Sequence, residues 1–306
     1  MIILNMTNKK KSRRLKSINC NPGIKNKTIK KGSCMTKKSL LELKKSFNDN
    51  HKDNKIYAHK PKDIWRELKN KIKDCNREDC WLKELNDKTR KELLSEQLFA
   101  PKQPSKWKDH PNTWLSNVDI LKVLKQYEGA YPEFEFIGPT PIDFDSKPEV
   151  YNNQCVWKDL CAFNLKDKIG KKKKIGIIFN LDKHNEPGSH WTSLFIDLEK
   201  DFVFYLDSAG DKMPGEVDVL VKRIIEQGLY LDIPKKMTFY ENYPFVHQEE
   251  NTECGMYSLY FIITMLTNKK KDVEFKTISD KINYFLKTKI KDDEAFNYRK
   301  IYFNVI

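Results

Sequence analysis

Gln248-Glu-Glu-Asn-Thr-Glu253-Cys254-Gly255-Met-Tyr-Ser-Leu-Tyr-Phe-Ile-Ile-Thr-Met-Leu266 is the stretch on which the fold turns. A polar loop runs into a Cys-Gly pair, and the eleven residues from Met256 to Leu266 are apolar on nearly every side. A helix that is apolar all round is buried in a core rather than laid on a surface. A membrane span needs about 20 such residues, so the run reads as a central helix of a soluble chain.

Upstream, strand and helix signals alternate. Lys174 to Leu181 reads as a buried strand. Trp191 to Leu198 and Phe202 to Leu206 are two more, joined by the charged turn Glu199-Lys200-Asp201 and therefore an antiparallel pair. Glu216 to Gln227 is an amphipathic helix, stopped by Gly228, and Lys236 to Tyr240 is a further strand. Ser116 or Asn117 caps a helix from Val118 to about Tyr127, and Pro132, Pro139, Pro141 and Pro148 make the next stretch loop-rich. This order implies an α+β fold, a mixed central β-sheet flanked by helices, with the buried helix starting at Cys254.

The chain has 306 residues, 39% hydrophobic and 12% aromatic, which fills a sizeable core and excludes a wholly disordered protein. Its net charge of +14 is local: residues 1–60 hold 17 Lys+Arg against Glu42, Asp49 and Asp53, so the rest is neutral. The expected organisation is a basic, flexible head over residues 1–55, with lysine runs Lys9–Lys11 and Lys30–Lys31. A helical arm over 56–105 follows, with Ile64, Trp65, Leu68, Ile72, Trp81, Leu82 and Leu85 at helical spacing, and then the main domain, 106–306. The head suits non-specific nucleic acid through phosphate neutralisation, and a solvated tail explains it equally well. The seven cysteines, with no apolar signal core at Met1–Leu4, read as free thiols in an intracellular reducing compartment without a disulfide framework. Cys75 and Cys80 lack a second metal-ligand pair and read as ordinary thiols on a helix rather than zinc ligands.

Cys254 stands apart. A thiol at a helix start meets the positive end of the helix dipole and unpaired backbone N–H groups, both of which favour the thiolate. Gly255 leaves room for a substrate backbone. A nucleophilic thiol needs a proton acceptor, and His190 is best placed of the six histidines, opening a core strand beside a Pro-Gly loop. Asp207 ends the neighbouring strand, where it can reach His190 and fix its tautomer. His184 and His247 are competing bases. His184 lacks an acid on a paired strand; His247 adjoins Gln248, and in extended backbone only one of these two side chains faces the thiol.

His190-Trp191, Leu206-Asp207-Ser208, Gln248 six residues before Cys254 in Q-x2-N-x2-C-G-x-Y, and the opening element Trp114-Leu115-Ser116-Asn117 are the separated elements of the pattern. Together they resemble the ubiquitin-like-protein proteases and viral processing proteases of the adenovirus-protease clan, over roughly residues 112–270. The resemblance implies Cys254 as nucleophile, His190 as base and then acid, and Asp207 as orienting carboxylate. It implies an oxyanion hole from the Gln248 amide and the Cys254 N–H. It also implies that Trp191 walls a narrow tunnel favouring Gly-Gly or Gly-x-Gly sites, although Trp191 as plain packing is an equal reading. No cofactor or metal is implied.

The compact chain, the short arm and the ending Asp293-Glu294 to Phe303 look like the polyprotein-processing proteases of large cytoplasmic DNA viruses, of the African swine fever virus type. Asp207 is closer to the cellular SUMO proteases. The viral reading expects a structural or core polyprotein cut during virion maturation, with the enzyme in the host cytoplasm or virus factory and packaged in the virion. The cellular reading expects removal of a ubiquitin-like modifier from lysine. An effector-type acetyltransferase uses a similar residue set, but the W-L-S-N element and the Gln–Cys spacing disfavour it. A binding module acting through the basic head is the remaining rival.

Overall fold

The computed structural model describes residues 14–271 and 273–305, so the lysine run Lys9–Lys11 lies outside the described residues. The chain forms two compact units, Met1–Ala100 and Pro101–Ile306.

The first unit holds helices α1 (Lys37–Asn50), α2 (Pro61–Lys71) and α3 (Lys88–Leu98). Leu40, Leu43 and Phe47 of α1 are buried in one cluster with Ile64 and Leu68 of α2 and Trp81. The expectation of a flexible head over 1–55, separate from an arm over 56–105, is therefore corrected for the described residues. Those three α1 residues recur at spacings of three and four, and Thr36 starts the helix with a capping box to Ser39. The lysines among them, exposed at Lys37, Lys38 and Lys45, hid the stripe.

The free-thiol expectation is also corrected. Cys20–Cys34, Cys75–Cys80 and Cys155–Cys161 are disulfides, and Cys254 is the free cysteine. Within each pair the fold brings the Cα atoms to 5.2, 5.6 and 6.2 Å, inside bridging range. Spacing alone does not reveal that approach.

The second unit is built on a five-stranded mixed sheet in the order β1-β2-β3-β4-β5. The strands are β1 (Phe134–Pro141), β2 (Lys174–Asn180), β3 (Trp191–Asp197), β4 (Phe202–Leu206) and β5 (Thr238–Glu241). β2-β3 and β3-β4 are antiparallel, whereas β1-β2 and β4-β5 are parallel. Around the sheet lie α4 (Asn117–Ala130), α5 (Lys158–Cys161), α6 (Gly215–Leu229), α7 (Cys254–Thr267), α8 (Ile278–Lys287), α9 (Asp292–Asn297) and α10 (Arg299–Tyr302).

Side chains alternate between two cores, as strand geometry requires. Phe195, Phe202 and Phe204 face the core containing α7, while Leu194, Ile196, Val203 and Tyr205 face the core containing α6. Every residue of α7 from Cys254 to Leu266 is buried. Gly176 lets this helix lie against the sheet, since a Cβ there would stand 2.9 Å from Ile262 Cγ2.

Two local readings change. Residues 134–141, expected as loop, form β1; this is an edge strand, where Pro139 and Pro141 remove no central ladder bond, and its register shifts between Ile137 and Thr140. Gly228 does not stop α6 but lies inside it, where a Cβ would meet Lys235 O at 2.8 Å. It is a packing glycine.

Candidate active site

The β3-β4 pairing, with Ser193 opposite Leu206, carries His190 and Asp207 to the same rim of the sheet. His190 sits at the end of a loop that Asp182 and Asn180 wind into place. Gly188 N donates to Asp182 Oδ2 at 2.9 Å, the Ser189 hydroxyl donates to Asp182 Oδ1, and Ser189 N donates to Asn180 Oδ1 at 3.3 Å. Gly188 takes φ +96° here, a backbone conformation that side chains disfavour.

Asp207 is 1% exposed and held at main chain and side chain alike. Its N–H donates to Asn242 Oδ1 at 2.9 Å, Asn242 Nδ2 donates to its carbonyl at 2.7 Å, and Ala209 N donates to its Oδ1 at 2.8 Å. That same Oδ1 lies 2.7 Å from His190 Nε2. With Nε2 committed, Nδ1 is the ring nitrogen left for Cys254. Burial pulls the His190 imidazolium down, but bonding to Asp207 and Cys254 and their charges outweigh it, raising its pKa to about 10. A pKa so raised favours the imidazolium form, with Nε2 held against Asp207.

Cys254 is the first residue of α7, behind Glu253 at the N-cap. Gly255 brings this helix start close to Leu115 and Trp191: a Cβ there would lie 3.1 Å from Leu115 Cβ and 3.3 Å from Trp191 Cδ1. Gln248 is anchored by Ser208. The Ser208 hydroxyl donates to Gln248 Oε1 at 2.7 Å, and Gln248 N donates to Ser208 O at 2.7 Å. Gln248 Nε2 donates one hydrogen to Glu250 O, and its second hydrogen is additional donor capacity.

The competing bases are placed elsewhere. His247 is fully buried, its Nε2 donating to Phe285 O at 2.8 Å and its Nδ1 accepting from Ile290 N at 3.3 Å. Burial lowers its pKa to about 4, despite the bond to Phe285, so it is a neutral structural imidazole. His184 does have an acid, though not from a paired strand: its Nδ1 lies 2.6 Å from Asp143 Oδ2.

Beside Trp191 opens a groove of about 460 Å³, lined among others by Trp114, Leu115, Pro139, Tyr151, Trp157 and Gly188. Trp191 Nε1 donates to Leu115 O at 3.1 Å, fixing the indole against the segment that carries Trp114. The sequence reading treated Trp114-Leu115 only as an opening element and missed its place on this wall. A tryptophan 42% exposed just before a helix cap is the signal that locates it. Asn242, which holds Asp207, carried no motif at all, and Ser208, which anchors Gln248, stood in the pattern only as the neighbour of Asp207.

A buried free cysteine at a helix start, facing an imidazolium clamped by a carboxylate, is the arrangement of a cysteine peptidase. Residues 81–299 match the model of the Ulp1 protease family, C-terminal catalytic domain, and the chain belongs to that family of cysteine peptidases. Among relatives, it is 30% identical to a protein of Acanthamoeba polyphaga mimivirus whose name carries a thiol-protease assignment. That match covers 57% of this chain and only 53%, about half, of the mimivirus protein. It is 28% identical to a cysteine protease of African swine fever virus (isolate Tick/Malawi/Lil 20-1/1983), over 62% of this chain and 68% of that one. The crystal structure of the African swine fever virus protease shares the fold, with a TM-score of 0.62 at 22% identity over 94% of this chain and 96% of that chain.

Proposed function

We propose that the second unit is a cysteine endopeptidase with Cys254 as nucleophile, His190 as general base and then acid, and Asp207 as its orienting carboxylate. The observation that carries this reading is the 2.7 Å contact of His190 Nε2 with Asp207, which leaves Nδ1 for Cys254 at the start of α7. The thiolate attacks the scissile carbonyl carbon. The tetrahedral oxyanion is received by the Cys254 N–H and the Gln248 amide, and His190 passes its proton to the leaving amine. Water, deprotonated by His190, then hydrolyses the thioester.

Trp191 and Trp114 line the groove together with Gly188, two residues before His190, and these bulky walls support a requirement for small residues. Gly-Gly and Gly-x-Gly sites meet it. The likeness to proteases of two large DNA viruses supports processing of viral structural or core polyproteins during virion maturation. Residues 1–55 hold 16 Lys+Arg against three Asp+Glu, which supports accompanying non-specific contact with nucleic acid.

Some African swine fever virus relatives bear the name SUMO-1 cysteine protease, which favours deconjugation as the second reading. Purified enzyme given a Gly-Gly-x peptide series and a SUMO precursor separates the two. Cleavage of the peptides, lost in Cys254→Ala, supports the endopeptidase. Cleavage of the SUMO precursor alone transfers the proposal to deconjugation, and cleavage of neither contradicts both.

A further inference from the structure

Glu253 places a carboxylate immediately before the nucleophile, and each of the two residues is only 2% exposed, so a negative charge there opposes formation of a thiolate. The structure answers this charge with Arg299, itself 4% exposed, at the start of α10. Its Nε donates to Glu253 Oε2 at 2.9 Å and its Nη2 to Glu253 Oε1 at 2.6 Å, a two-pronged clamp. Nη1 donates to the carbonyls of Pro111 at 2.8 Å and Thr113 at 2.9 Å, and Nη2 also reaches Thr252 O at 3.5 Å. These five bonds match the five N–H donors of a guanidinium. Its Cζ lies 4.2 Å from the centroid of the Trp107 ring, whose Nε1 in turn donates to Thr113 O at 2.8 Å.

One side chain thus ties together the residue before Cys254 and the segment that runs directly into Trp114 and Leu115 on the groove wall. We infer that Arg299 is a positioning residue: it neutralises Glu253 beside the thiolate and sets the helix start and the groove wall in register. This inference rests on the reading of Cys254 as the nucleophile. Lysine is a poor replacement, since a single ammonium cannot span the carboxylate and two carbonyls at once.

The experiment measures the pH profile of Cys254 alkylation by iodoacetamide in the full chain, with mass spectrometry to locate the label and a thermal melt for each variant. Labelling of wild type at Cys254, absent from Cys254→Ala, tests the underlying reading separately. Arg299→Met removes the cation and leaves burial to raise the Glu253 carboxyl unopposed, and the midpoint is expected to move up. Glu253→Gln leaves the arginine uncompensated and is expected to move it down. The double variant is expected to return towards wild type. Arg299→Lys is expected to hold the midpoint near wild type while kcat/KM falls at least about tenfold, because the Pro111 and Thr113 contacts are lost.

A purely structural role predicts lower melting temperatures with no movement of the midpoint, and that result overturns the inference. So do shifts of the same sign in Arg299→Met and Glu253→Gln. If Arg299→Met does not fold, the downward shift in Glu253→Gln and the split in Arg299→Lys decide the matter.

Discussion

Replacing Asp207 by asparagine removes one charge from the site while keeping an oxygen that can accept from His190 Nε2. The oxygen concerned also accepts from Ala209 N, so the side chain stays anchored. The other oxygen, Oδ2, is buried without a hydrogen-bond partner, and the amide NH2 that takes its place is left unsatisfied at about 1–3 kcal/mol of fold stability. A hydrogen bond involving a charged group contributes about 1.5–3 kcal/mol, and a neutral one about 1. The imidazolium therefore loses about 1–2 kcal/mol of support, or roughly one pH unit.

The sign follows from the direction of the shift. The pKa of His190 is raised from 6.5 to about 10 in the fold. Its contribution to stability and to the ion pair is fully present below 6.5 and is lost as pH rises through about 10. In Asp207→Asn the alkaline limb of kcat/KM against pH should descend by about one unit, and activity near pH 7, well below that limb, should change little. Asp207→Ala, which offers Nε2 no acceptor, should lose about 10²–10⁴. The assay is cleavage of a fluorogenic Gly-Gly-x peptide from pH 5 to 11, with circular dichroism to confirm folding. An alkaline limb that stays in place, or a folded Asp207→Asn as inactive as Cys254→Ala, refutes the reasoning.

Three further outcomes follow from the same structure. Gln248→Ala should lower kcat by about 10²–10³ with KM little changed, as for loss of one oxyanion donor; an equal loss in KM alone would make Gln248 a binding residue. His247, with its pKa lowered from 6.5 to about 4, contributes stability that is present above 6.5 and is lost as pH falls through about 4. Urea unfolding should show about 3 kcal/mol of acid sensitivity in that window that His247→Gln lacks, and an identical acid slope in the variant contradicts its neutral burial. Thiol titration of the denatured, unreduced protein should find one thiol, Cys254, and seven after reduction; seven without reductant contradicts the three disulfides.

The elements that lie deepest were the most legible in the sequence. α7 announced itself because a helix buried on all sides needs apolar residues on all sides, and β3 and β4 because their short charged turn admits only a hairpin. His190, Asp207 and Cys254 could be brought together from those elements alone, since a hairpin's register fixes which ends are neighbours. What stayed hidden depends on distant partners. β1 was masked by prolines that an edge strand tolerates. The stripe of Leu40, Leu43 and Phe47 was masked by surrounding lysines. Arg299 lies 46 residues from Glu253 and 188 from Pro111, separations that no local pattern reports. The disulfides follow from approach in space, which cysteine count and spacing do not contain.

The central claim, that Cys254 is a nucleophile activated by His190 at a site built for a Gly-Gly tail, is tested most directly by mass spectrometry after exposure to a Gly-Gly vinyl sulfone. A single adduct on Cys254 in wild type, absent in Cys254→Ala and strongly slowed in His190→Ala, is the predicted result. A folded wild-type protein that takes no label, or labelling undiminished in His190→Ala, would contradict the account.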